Sequence, residues 1–312
     1  MIQAATSLIP IILLVILGAA LFQGGFMDSA LRRGLDRFTY WVALPSLFIY
    51  DLSGTDFGEL QAQNLLATLF ILIVGSAIVA ALVAALFRMK DEHSGVFVQL
   101  GFRGNLAFVG LPLIIFASEG VAGGDLLVAS ALVALAVLVP VNNFIAVLAL
   151  IVARHKIDRR VWGRFFIKLA TNPLILSALI GILIGAMGWT LPTVVGRPFE
   201  LLGQTAIALA LVSLGGALVE LEMKGRFALA TATGAFKVIF VPLMAYGLAL
   251  LWGLPPMKTF ILMVFAACPS STASYVLTTQ LGGDDAFAAA GILASTILSL
   301  LPLALVLIFF TP

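Results

Sequence analysis

Two stretches of the chain carry hydrogen-bonding side chains where an apolar helix would otherwise run on. RGNLAFVGLPL extends from Arg103 to Leu113, and ACPSST from Ala267 to Thr272. The first supplies Arg103, Asn105, Gly110 and Pro112; the second supplies Pro269, Ser270, Ser271 and Thr272. A guanidinium presents a planar fork that fits a carboxylate, and amide or hydroxyl donors can complete the shell around it. Each proline also takes away a backbone donor, so the carbonyls of Phe108 and Phe265 lose the helical partners that Pro112 and Pro269 would have supplied. Non-covalent capture of a small anion is the chemistry these residue types permit. Each also has a plainer reading. Arg103 could reach back to a membrane interface or neutralise helix C-terminal carbonyls, Asn105 could cap interrupted backbone, and Ser270, Ser271 and Thr272 could repair it.

Other chemistries lack their residues. Cys268 is the only cysteine, His93 and His155 are the two histidines, and no catalytic Cys/His pair, metal-ligand cluster or nucleotide-binding loop is present. No catalytic residue, metal or cofactor is expected, and an enzyme is the least supported class. Lys237 lies about ten residues into an apolar run; it either snorkels inward or serves as a fixed charge in place of a coupling cation. Asn142 and Asn143 sit in the middle of another run, where interhelical packing is the common use of such amides. Asp51, Asp56, Glu119, Asp125, Asp284 and Asp285, with Glu59, fall near the ends of runs or between them, so no proton or sodium site can be named.

The elements that must hold these residues are membrane helices. Of the 312 residues 62% are hydrophobic and 10% charged, and the mean hydropathy is +1.16, far from a soluble domain. Runs of about 20 apolar residues suffice to span a bilayer. Ten are present: Ser7 to Gln23, Leu35 to Leu52, Asn64 to Phe87, Ser94 to Ser118, Asp125 to Ala153, Arg164 to Met187, Arg197 to Val219, Ala228 to Trp252, Thr259 to Gln280 and Ala286 to Phe310. Thirteen of the 17 basic residues follow the odd-numbered runs one to seven, among them Arg32, Arg33, Arg37, Arg88, Lys90 and the stretch RHKIDRR. Cytoplasmic loops retain Lys and Arg, which places both termini outside and makes the basic stretch a topology signal rather than a nucleic-acid site. A first run with no basic segment before it suits an uncleaved N-out anchor.

The two halves match at a nearly constant offset. Pro10 and Gly18 correspond to Pro173 and Gly181 at 163 residues, GGD at Gly123 recurs at Gly282 at 159, and Pro140 corresponds to Pro302 at 162. The repeat unit holds five spans, an odd number, so the second copy is expected upside down, with a substrate site at the repeat interface. Domains are accordingly 1–153, a cytoplasmic linker 154–163, and 164–312. The offset of 159 sets Gly110 against Pro269 and Pro112 against Ser271, so both halves are expected to break the same helix.

RGNLAFVGLPL, ALPSLFIYDLS (Ala43 to Ser53), LVSLGGAL (Leu211 to Leu218), FKVIFVPL (Phe236 to Leu243) and ACPSSTASYVLTTQLGGD (Ala267 to Asp284) resemble the auxin efflux carrier family, whose bacterial members include carriers assigned to malonate and malate. The resemblance covers essentially the whole chain. It implies an all-α fold of ten helices in two inverted repeats, shared with bile acid and sodium/proton carriers, with helices four and nine broken and crossing. Helices 1, 2, 6 and 7 would form a scaffold, and helices 3–5 and 8–10 a transport domain moving like an elevator. Sodium/proton carriers of this fold place carboxylates where Asn142 and Asn143 stand. Only about ten residues occupy the position of the long central loop of many plant members.

These readings converge on a carrier of small organic anions in the cell membrane, either driven by the potential or coupled. With the inside negative, outward movement of one negative charge gains about 2.3 kcal/mol per 100 mV. A sodium-coupled symporter of the bile acid type and a polytopic receptor without transport remain the alternatives. The expected partners are the organic anion and membrane lipids, with a homodimer left open.

Overall fold

The computed structural model describes residues 2–56, 60, 62–153, 163, 167, 170–221 and 227–312. Among them the architecture is all-helical. The helices are α1 (Ile2–Gln23), α2 (Ser29–Phe38), α3 (Leu44–Ser53), α4 (Gln63–Leu86), α5 (Asp91–Phe102), α6 (Leu111–Ser118), α7 (Gly124–Ala153), α8 (Pro173–Ala186), α9 (Thr193–Glu220), α10 (Phe227–Ala235), α11 (Val241–Leu251), α12 (Pro256–Ala267), α13 (Ala273–Leu281) and α14 (Asp285–Phe310). Six helical stretches are long and apolar enough to cross a membrane, the longest being Gly124–Ala153 at 30 residues. The chain is a multi-pass membrane protein. The basic residues of the expected 154–163 linker and its flanks, Arg154, Lys156, Arg159, Arg160, Arg164 and Lys168, lie outside the described residues, as do Lys224 and Arg226.

Three π-turns lead into helices: Thr39–Ala43 and Phe236–Phe240 join α2 to α3 and α10 to α11 end to end, and Leu106–Gly110 opens α6. Each is followed two residues later by a proline, Pro45, Pro112 or Pro242. The proline cannot donate to the carbonyl four residues back and its ring crowds that carbonyl. The ladder therefore slips by one: Leu44, Leu111 and Val241 donate to Thr39, Leu106 and Phe236, five residues back. A π-turn absorbs the proline and the helix continues. Pro112 was expected to break its helix, and this slip is why it does not.

The true interruptions lie at residues 103–105, between α5 and the π-turn, and at residues 268–272, between α12 and α13. The first precedes Gly110 by several residues, so the expected match of Gly110 to Pro269 does not describe where the backbone opens. Pro269 does sit within its break.

Helices α1 and α9 pack backbone against backbone. A Cβ on Gly18 would lie 2.0 Å from the Val212 carbonyl oxygen, and one on Gly215 would lie 2.0 Å from that of Val15. The α3 helix is gripped the same way: a Cβ on Gly181 of α8 would lie 2.9 Å from the Phe48 oxygen, and one on Gly203 of α9 would lie 2.9 Å from the Leu47 Cα. Without a hydrophobic drive between helices in lipid, such close approach supplies the packing energy. Gly18→Val or Gly215→Val is expected to cost more than about 3 kcal/mol, because backbone rather than a side chain must move, whereas Gly247→Ala, with nothing within 4 Å, should be silent. Thermal unfolding of detergent-solubilised protein checks this.

Candidate functional site

The two interruptions meet. Gly104 and Ser270 pair as antiparallel strands over a single residue each. The Asn105 amide donates to the Pro269 carbonyl at 2.8 Å, and the Ser271 amide to the Arg103 carbonyl at 2.9 Å. Backbone opened within lipid costs several kcal/mol per unsatisfied group, and each break here supplies partners for the other.

Side chains finish the repair. The Ser270 hydroxyl donates to the Leu100 carbonyl at 2.8 Å, one of the last acceptors of α5. The Ser270 amide donates to the Ser295 hydroxyl of α14 at 3.0 Å. That leaves the Ala266 carbonyl, near the end of α12, to accept from the Lys237 ammonium. Lys237 is 1% exposed, so it does not snorkel to an interface.

Arg103, 8% exposed, donates to the Asn143 amide oxygen and lies 3.5 Å from the Ser274 hydroxyl. Among the described residues the ion pairs include those of Arg32 with Asp36 and Glu220 and of Arg197 with Glu200, and His93 lies 3.5 Å from a Glu92 oxygen and 3.3 Å from an Asp284 oxygen. Neither Arg103 nor Lys237 has a carboxylate partner. The adjacent asparagines of α7 divide between these cations: Asn143 holds Arg103, and Asn142 lines the small cavity beside Lys237. Gly110 makes room for α12, since a Cβ there would lie 2.9 Å from a Phe265 ring carbon and 3.0 Å from the Cys268 sulfur. Pro112 is buried in α6.

Asn105 differs from its neighbours. It is 5% exposed, it stands immediately before the π-turn that opens the second half-helix, and its side-chain nitrogen has no hydrogen-bond partner. Ser271 and Thr272 are partly exposed, unlike residues 103–105.

Two cavities flank this region, one at the crossing and one farther along α6. One, of about 720 Å³, is lined by Phe108, Thr272 and Ala273, with Arg33, Tyr40 and Tyr275 on its walls. The other, of about 910 Å³, is lined by Ile115 and Phe116 of α6 and by Asp51, Asp56, Glu119 and Asp125. Tyr40 belongs to the first and Tyr50 to the second; ten helical residues separate them by about 15 Å, so the cavities lie toward opposite ends of one span.

The sequence profile of a family described as membrane transport protein matches residues 3–146 and 148–307. The chain belongs to the membrane transport protein family. It is also 23% identical over 306 residues to an uncharacterized transporter of Methanocaldococcus jannaschii, covering 95% of each chain. The resemblance drawn from the motifs holds at the level of the family.

In this membrane transport protein, several buried polar residues that hold the crossing escaped sequence reasoning. Gln99 is fully buried and donates to Thr278 and, at 3.2 Å, to the Ser274 carbonyl. Ser295 accepts from Ser270. Their signal was a four-residue spacing of polar groups in apolar helices, Gln99 with Arg103 and Ser274 with Thr278, which marks one shared face. Ser295→Ala strips the Ser270 amide of its partner and should lower stability by about 1–3 kcal/mol. Thr296→Ala, whose hydroxyl bonds only within its own helix, should cost less; thermal melts of the two compare them.

Proposed function

We propose that the protein is a secondary carrier of small organic anions, carboxylates such as malonate or malate, that binds its substrate at the crossing of the two interrupted helices. The observation that carries this is Asn105: an amide donor, buried and unpartnered, beside the N-terminus of a half-helix. Half-helix N-termini carry partial positive charge and unpaired amides, and transporters use them for anionic groups. The half-helix that follows the other interruption, α13, begins at Ala273 next to Thr272, and both residues line the cavity of about 720 Å³. Among the described residues neither Arg103 nor Lys237 has a carboxylate partner, so the crossing itself carries uncompensated positive charge, while Asp36, Glu220 and Asp285 stand, with Arg32 and Arg33, on the walls of the cavity that leads to it. Ser270 and Ser271 hold the crossing together, while Gly110 and Pro112 shape the packing behind it.

The same reading takes the chain as two inverted five-helix repeats, 1–153 and 164–312. Supporting it, α1 seats Gly18 on α9 and α8 seats Gly181 on α3, and these glycines are repeat equivalents. The helices so joined form the scaffold, and α4 to α7 with α10 to α14 form the body that moves past it. Access alternates between the two cavities, in a multi-pass protein of the cell membrane with both termini outside. Lipids surround it, and a homodimer fits this arrangement.

Purified protein in vesicles should exchange radiolabelled malonate or malate; binding without flux would leave a receptor. Asn105→Ala should weaken stabilisation by the active carboxylate about tenfold or more, the value of a hydrogen bond to a charged group. Full affinity retained by both Asn105→Ala and Arg103→Ala removes the crossing as the site. Stabilisation that requires sodium selects the symporter.

A further inference from the structure

The end of α12 has more acceptors than backbone donors. Pro269 has no amide to give the Phe265 carbonyl, and the amide that would serve Ala266, that of Ser270, is bound to Ser295 at 3.0 Å. Helix C-terminal carbonyls carry partial negative charge. Near them the amide oxygen of Asn142 is buried without a partner. Asn142, Ser76, Phe265, Ala266 and Lys237 all line one small space of about 20 Å³. Oxygens without a carboxylate, gathered at the negative end of a helix, are the donor set of a monovalent cation rather than of a transition metal.

We propose that this is a monovalent-cation site filled by the protein's own ammonium. Lys237, 1% exposed, donates to the Ala266 carbonyl, and the remaining space admits one water molecule to link the ammonium to Asn142. A tethered cation cannot dissociate. The crossing therefore keeps its positive charge whatever the salt outside, and the carrier has no need of sodium at this point. Truncating Lys237 vacates the site for an untethered cation of similar size.

The test uses no substrate, so it stands apart from the carboxylate assignment. Detergent-solubilised wild type, Lys237→Ala, and Lys237→Ala with Asn142→Leu are melted at equal ionic strength in choline, sodium, potassium or ammonium chloride. Wild type should melt alike in all four salts. Lys237→Ala should melt lower in choline and recover by about 3 °C or more in at least one small cation. The double variant should lose that recovery. Lys237→Ser, which leaves an oxygen in the vacated space, repeats the series if the alanine variant is not recovered. Truncated variants that melt alike in all four salts, or that are unfolded in every one of them, overturn the proposal. A wild type stabilised by sodium as strongly as Lys237→Ala overturns it as well.

Discussion

Backbone cannot be left open inside a bilayer, and everything at the centre of this protein follows from meeting that condition without continuous helix. Two interruptions that would each strand several polar groups are placed against each other, and the pairing of Gly104 with Ser270 satisfies the groups nearest the gap. Serine hydroxyls and the Lys237 ammonium take the next shell. Because the solution needs both halves of the chain, neither break can exist alone. Of the buried side-chain groups left over beside the crossing, the Gln99 and Asn142 oxygens are acceptors and the Asn105 nitrogen is a donor.

The prolines show why composition misleads about backbone continuity. Pro45, Pro112 and Pro242 each sit within a helical run, and each is accommodated by a π-turn just before it. Pro269 alone of these four coincides with an opening. The difference is local support: a helix that can slip its register keeps its hydrogen bonds at small cost, while the gaps at residues 103–105 and 268–272 are paid for by tertiary partners. Sequence shows which residues disfavour a helix but not which tertiary partners are available, so the class of segment was legible and the opening at Arg103 was misplaced by several residues.

The site was legible to a similar depth. Arg103, Asn105, Ser270 and Lys237 were singled out because charge and amide groups are costly in lipid, and all four are buried at the crossing. What they touch was not legible. That Arg103 rests on Asn143 and Ser274 and not on a carboxylate depends on how α7 and α13 approach α5. The membrane helices themselves follow from hydropathy alone, because six long apolar helices leave the chain no other solvent.

The seam between α1 and α9 carries a consequence for how the protein is made. Gly18 must touch Val212, about 190 residues later in the chain. At about 5–20 residues per second of synthesis, the first helix waits in the bilayer for about 10–40 s with its small-residue groove facing lipid. During that interval the groove is an open invitation to any other membrane helix with a matching surface. The narrowness that makes the finished seam tight also makes it selective, since it fits a helix whose backbone can come this close, as α9 does at Val212 and Gly215. The same closeness that holds the finished seam thus narrows the range of helices the waiting one can accept.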